Sequence, residues 1–273
     1  MKKLYIYCGI MLCLIAVCLV FLTFQPTLFP IVEPQTERVK ETEPVPETKP
    51  AAPIETNPAE TLSSETESPE TLPPETEPET VYVCPTELTE AIQINSDVYA
   101  WLTIPGTNVN DPVIQSPTND SYYLRRDING NYLISGMLMT EHSYNTTTFE
   151  DPVTIIYGHC MESGAMFGRL QSYYSSVSGM EQYKTIEVYT PDRKLEYEVF
   201  AAVPYDKRHI LYNYDFENPR IFSAFFKSIV SIRSFSAIVN SDEKPEYGDK
   251  VLILSTCLMG DSSQRYLVMA KLK

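Results

Sequence analysis

Hydrophobic positions along this chain fall into three unlike stretches. Leu4 to Phe24 is a run of 21 residues without a charge, dominated by Leu, Ile, Val, Cys and Phe, enough helix to cross roughly 30 Å of hydrocarbon. From Ile31 to Thr80 apolar residues become sparse and Glu, Thr and Pro take over. From Val81 onward they return in short runs separated by turn residues, over a length of about 190 residues that can bury one sizeable core.

Within this last stretch the pattern predicts a mainly β domain with added helices. Leu88 to Leu102 reads as a helix leading into the domain, with Trp101–Ile104 and Asp111–Ile114 as strands around the turn Pro105-Gly106-Thr107. Further strands are expected at Tyr132–Thr140, Val153–Tyr157, Thr185–Tyr189, Leu195–Val203, Val251–Thr256 and Arg265–Leu272. Eight strands at this spacing favour a closed barrel over a parallel sheet. One long helix interrupts them. Asn218 can cap it and Pro219 suits its first position, while Ile221, Phe222, Phe225, Phe226, Ile229 and Val230 recur at helical spacing, a stripe expected to pack on the barrel.

Charge and flanks give the first two stretches a reading. Lys2 and Lys3 precede the apolar run; basic residues held inside make residues 1–3 a cytoplasmic stub, residues 4–24 a transmembrane signal-anchor, and the rest of the chain extracellular. A cleaved signal is the competing reading, but the run is longer than a usual signal core and ends Thr23-Phe24-Gln25-Pro26 without an A-x-A-like site. A lipoprotein signal at Cys18 is disfavoured by the bulky Val17 before it and the apolar run beyond it. Residues 25–80 read as an acidic Pro/Thr/Glu-rich linker. Ile31–Thr80 carries 13 Glu against Arg38, Lys40 and Lys49, most of the chain's net charge of −15. Such a stretch reaches from about 40 Å as a coil to on the order of 150 Å as polyproline helix. Residues 81–273 form the extracellular domain, and nothing in its charge suggests nucleic-acid binding.

Cysteine usage points toward chemistry. Cys8, Cys13 and Cys18 lie in the anchor, leaving Cys84, Cys160 and Cys257, an odd number with no CxxC, a poor disulfide framework and a poor zinc site that leaves at least one thiol free. The apolar run Val251–Thr256 leads into Cys257, Gly260-Asp261-Ser262-Ser263 reads as a turn, and a second strand starts at Arg265. A hairpin centred on Asp261 would set Cys257 opposite Arg265, within about 5–6 Å between Cβ atoms. A guanidinium there can favour a thiolate and bind a developing oxyanion. Thr154-Ile155-Ile156-Tyr157-Gly158-His159-Cys160 ends another apolar strand on a histidine, the side chain suited to move a proton near neutral pH. His142 and His209 stand in polar stretches and read as surface residues.

Tyr157-Gly158-His159, Leu254-Ser255-Thr256-Cys257 and Arg265-Tyr266-Leu267-Val268 together resemble the signature of sortases. Ile94-Asn95-Ser96-Asp97-Val98-Tyr99-Ala100-Trp101-Leu102-Thr103-Ile104-Pro105-Gly106-Thr107, Pro112-Val113-Ile114-Gln115, Tyr122-Tyr123-Leu124 and Met166-Phe167-Gly168-Arg169-Leu170 are similar to the class B branch. The resemblance implies an eight-stranded sortase-type barrel and a cysteine transpeptidase that cleaves an Asn-Pro-x-Thr-like signal near the carboxyl end of exported proteins. It makes Cys257 the nucleophile, His159 the general acid and base, and Arg265 the stabiliser of the substrate carbonyl. The acceptor would be an amine of a peptidoglycan precursor or a pilin lysine, and the scheme requires no metal or organic cofactor. Cys160 stands where many class B members carry a polar residue, and Met259 where some carry an acid; Asp261 either replaces that acid or solvates the turn. Cys160 is either a passive packing residue or redox-coupled to Cys257. Two other classes remain open, a Cys/His wall peptidase that only hydrolyses and a non-catalytic tethered binding module. The order His159 before Cys257, with the cysteine ending a strand, runs against papain-like arrangements.

Overall fold

The computed structural model describes residues 82–273. The apolar run 4–24 and the acidic stretch 25–80 lie outside the described residues. No helix among the described residues is long and apolar enough to cross a membrane.

The domain opens with helix α1, Thr86–Ile94, which buries Leu88 and Ala91. The sequence pattern extended this helix to Leu102, but it stops at Ile94. Asn95 turns extended and its side-chain oxygen accepts from the Asp97 amide at 2.9 Å. Beyond it Val98, Ala100 and Leu102 alternate buried and half-buried with Tyr99, Trp101 and Thr103, a period of two that belongs to strand β1, Val98–Thr103. Strand β2, Asn110–Ile114, returns antiparallel to it.

The remaining strands are β3 (Leu138–Met139), β4 (Val153–Tyr157), β5 (Thr185–Tyr189), β6 (Lys194–Asp206), β7 (Ile238–Val239), β8 (Val251–Leu258) and β9 (Asp261–Leu272). They hydrogen-bond in the order β5-β1-β2-β3-β4-β8-β9-β6-β7, and β5 also pairs with β6. That last pairing closes an eight-stranded ring, as the spacing of the strands predicted, with β7 as a short ninth strand beside β6. β2–β3 and β4–β8 are parallel and the other pairs antiparallel. Between Tyr132 and Thr140 only Leu138–Met139 is strand. The backbone turns at Gly136, whose φ is +54°, and Tyr132 and Ile134 point outward.

Ala100, Leu102, Ile156, Leu252, Leu254, Val268 and Ala270 fill the barrel interior. On β6 the burial alternates up to Tyr197 and is then unbroken from Val199 to Val203, because helix α5, Pro219–Val230, covers the outer face there. Asn218 caps α5 by accepting from the Arg220 amide, and Phe222, Phe225, Phe226, Ile229 and Val230 are buried, as their spacing predicts. Phe226 meets Phe200 at 5.9 Å and Phe225 meets Tyr205 at 6.2 Å between ring centroids. Each such phenylalanine contributes about 1.5–3 kcal/mol by leaving water. Between β4 and β6 lie the short helices α2 (Leu170–Tyr173) and α3 (Val177–Gln182); α4 (Ile210–Asn213) follows β6.

Candidate active site

Side chains alternate across the barrel wall, so Leu252, Leu254 and Thr256 face inward and Ser255 and Cys257 outward. Cys257 pairs with Arg265 across β8–β9. Arg265 Nη1 donates toward Cys257 Sγ at 3.8 Å, and is steadied by the carbonyls of Ser262 and Gln264, each at 3.3 Å. The predicted pairing is present, but the hairpin is not centred on Asp261. The chain reverses at Met259-Gly260, with Gly260 at φ +82°, and Leu258 already pairs with Asp261. Ser262, Ser263 and Gln264 then bulge out before Arg265 resumes the ladder, which restores the same partner by another route. Asp261 solvates this turn. Its Oδ1 accepts from the Ser263 amide at 2.9 Å and its Oδ2 from Gln264 Nε2 at 2.7 Å, and the hydrogen bonds from Ser263 and Gln264 hold its carboxyl below the usual range.

β4 runs parallel to β8 with Tyr157 opposite Ser255, and the Gly158 amide adds one further rung to the Ser255 carbonyl at 3.1 Å. His159 leaves the sheet immediately beyond that rung, two residues past the last β4–β8 pair, as Cys257 is on β8. Gly158 allows this exit because a Cβ there would come within 2.6 Å of both Leu138 and Phe167 side chains. Cys160 is half-buried, forms a bridge with Met166, and has Gln171 Nε2 4.0 Å from its sulfur. Burial, and after it the nearby Cys257, pushes the Cys160 thiol up.

What orients His159 has no local sequence signal. Its Nε2 lies 3.0 Å from the Leu124 carbonyl. A carbonyl only accepts, so Nε2 carries the proton and Nδ1 is left to exchange one. Leu124 sits in a 3-10 turn, Tyr122–Arg125. That turn is pinned by Tyr123, whose hydroxyl donates to Asp97 at 2.7 Å and accepts from Asn95 Nδ2 at 2.8 Å. Asn95, Asp97 and the Tyr122-Tyr123-Leu124 string carried no chemistry as sequence; their contribution is a long-range backbone acceptor, which leaves no side-chain signature.

His142 lies near Asp120, at 3.2 Å, and is largely exposed. His209, expected on the surface, is instead half-buried. Its Nδ1 accepts from the Tyr212 amide at 3.0 Å and its Nε2 donates to Glu141 at 2.8 Å. A polar sequence neighbourhood did not reveal a partner 68 residues away. Concavities of about 460 and 440 Å³ lie elsewhere on the domain and neither is lined by Cys257, His159 or Arg265. Cys257 itself is half-buried at the end of β8.

A half-buried thiol at a strand end, a guanidinium aimed at it, and a histidine of fixed tautomer leaving the adjacent strand are the groups that acyl transfer through a thioester uses. The Sortase domain family profile matches residues 102–273. The chain belongs to the sortase family. Sortase B of Listeria monocytogenes serovar 1/2a is 30% identical over 171 residues, covering 63% of this chain and 67% of that protein. Sortase B of Staphylococcus aureus is 28% identical over 182 residues, covering 66% and 72%. A 2.0 Å crystal structure of the S. aureus sortase B superposes with a TM-score of 0.59 at 28% identity, over 68% of this chain and 85% of that one. These relatives place the chain in the class B branch and make it a cysteine transpeptidase of the sortase type.

Proposed function

We propose that this sortase cleaves a carboxyl-terminal sorting signal of the Asn-Pro-x-Thr kind on exported proteins and joins the new carboxyl end to an amine. Cys257 Sγ attacks the carbonyl after the threonine, and the tetrahedral intermediate places its oxyanion toward Arg265. Protonated His159 gives its proton to the departing amine, leaving a Cys257 thioester. The incoming amine, from a peptidoglycan precursor or a pilin lysine, loses a proton to His159 and displaces the thiolate as a new amide forms. Energy released by the first amide is conserved in the thioester, so no cofactor enters. The observation carrying this reading is the Cys257–Arg265 pair at the end of β8, beside the strand from which His159 leaves the sheet.

Residues 4–24 would anchor the enzyme in the membrane with residues 1–3 inside. The acidic stretch 25–80 would hold the domain of residues 81–273 away from the bilayer, where exported proteins and wall precursors meet it. The length of the apolar run and the lysines before it support this placement.

The test is an Asn-Pro-x-Thr peptide supplied to the full chain with and without a short amine such as triglycine. A new amide product in the presence of the amine supports transpeptidation, and hydrolysis alone under both conditions supports a wall peptidase. Cys257→Ala should abolish turnover, and Arg265→Lys should lower kcat by about 10²-fold, since an ammonium cannot reproduce a fork that meets both thiolate and oxyanion. Full turnover by Cys257→Ala would overturn the reading.

A further inference from the structure

A second polar constellation adjoins this site from the side. The turn after β3 is sutured to β4: Asn145 Nδ2 donates to the Val153 carbonyl at 2.8 Å and its Oδ1 accepts from the Ile155 amide at 3.0 Å. Glu141 begins that turn, its carbonyl accepting from the Asn145 amide at 2.9 Å. Its carboxylate is thus presented from a rigid base and is only 17% exposed.

Two groups converge on it. His209 Nδ1 already accepts from Tyr212, so its Nε2 bears the proton that it donates to Glu141 at 2.8 Å. Tyr157 is the second: burial, and after it the nearby Glu141 carboxylate, pushes its hydroxyl's pKa up. The rings continue the contact, with His209 centred 4.7 Å from Tyr144 and 6.4 Å from Tyr157. The His209 segment leaves β6 directly after Tyr205 and Asp206, which pair with Arg265 and Gln264. The Glu141–His209 pair therefore brings together three pieces of chain near the thiol and the guanidinium: the turn after β3, the residues following β6, and, through the ring contact of His209 with Tyr157, β4.

We propose that Glu141 is a positioning residue for the transpeptidase site, its carboxylate holding the His209–Asn213 segment and the Tyr157 ring as a fixed wall beside Cys257 and Arg265. Glu141 touches no reacting atom. Its effect is to remove motion from a wall that a bound peptide would otherwise have to order. The wall's use as a peptide contact rests on the sorting-signal reading above; the mechanical link does not.

The test compares the full-length wild type with Glu141→Ala, His209→Ala and His209→Gln, the last keeping an N–H donor toward Glu141. Hydrogen exchange of the amides in residues 207–214 should accelerate about tenfold in both alanine variants, with β8 and β9 unchanged, and should return toward wild type in His209→Gln. With the Asn-Pro-x-Thr peptide, the alanine variants should raise KM by about tenfold while kcat stays within about twofold. Unchanged exchange in Glu141→Ala, or exchange raised throughout the domain, would overturn the latch. Wild type that does not turn over the peptide would sink the sorting-signal reading alone, because exchange still decides the latch. Accelerated exchange with an unchanged KM would remove the wall from peptide binding.

Discussion

Tyr157 of β4 pairs with Ser255 of β8, 98 residues further along, and the same offset joins every pair of that ladder from Val153 and Val251 onward. His159 and Cys257 are separated by the same offset. One parallel register therefore carries both residues to the same end of two adjacent strands. The hairpin of β8 and β9 then adds Arg265 from the other side. The site is the meeting of one local and one long-range strand pairing.

Gly136 is tied to the histidine through the Leu124 peptide. A Cβ at Gly136 would lie 2.3 Å from the Leu124 oxygen, the atom that accepts from His159, and the backbone there is at φ +54°. Gly136→Ala should destabilise the domain by about 1–3 kcal/mol. It should also lower kcat of the molecules that remain folded, because the contacted atom is the histidine's acceptor. Thermal melting together with kcat measured well below the midpoint checks this, and a variant matching wild type in both would show that the 3-10 turn yields without moving His159.

Thr256 presents the opposite case, a group whose removal should help. Its side chain is 3% exposed inside the barrel, and its hydroxyl is the one buried side-chain N or O atom without a hydrogen-bond partner among the described residues. Thr256→Val keeps the shape and deletes the unpaired hydroxyl, so it should stabilise the domain by about 1 kcal/mol. A denaturant midpoint shifted upward with an unchanged slope is the expected result; a downward shift would mean the hydroxyl has a partner such as a buried water.

The Cys160 thiol has a pKa raised by burial and by its neighbour Cys257. At pH 8 its alkylation by iodoacetamide should be slower than that of an unperturbed thiol and should rise with pH beyond the range where free cysteine levels off. The sign of the second contribution is testable by itself. In Cys257→Ala the neighbouring thiol is gone, the Cys160 pKa falls, and its labelling at fixed pH should quicken. Mass spectrometry of the Cys160 peptide measures both, and an identical pH profile in the two proteins would exclude coupling between the thiols.

The sequence alone marked most of the elements and the candidate groups. Short apolar runs between turn residues marked the strands, Asn218 and the Phe222–Val230 stripe marked α5, and a mirror pair about a turn set Cys257 against Arg265, because these signals depend on neighbours a few residues apart. Even here tertiary contacts moved boundaries. β1 claimed the end of the expected first helix, and a bulge displaced the hairpin's centre while preserving its partners. Only the fold decided which distant pieces meet. The parallel ladder that sets β4 beside β8, the Leu124 carbonyl that orients the histidine, and the Glu141 carboxylate that accepts from His209 all span tens of residues. Closing the barrel fixes such contacts through strand register and loop docking, and no local pattern encodes a register against a strand that lies elsewhere in the chain.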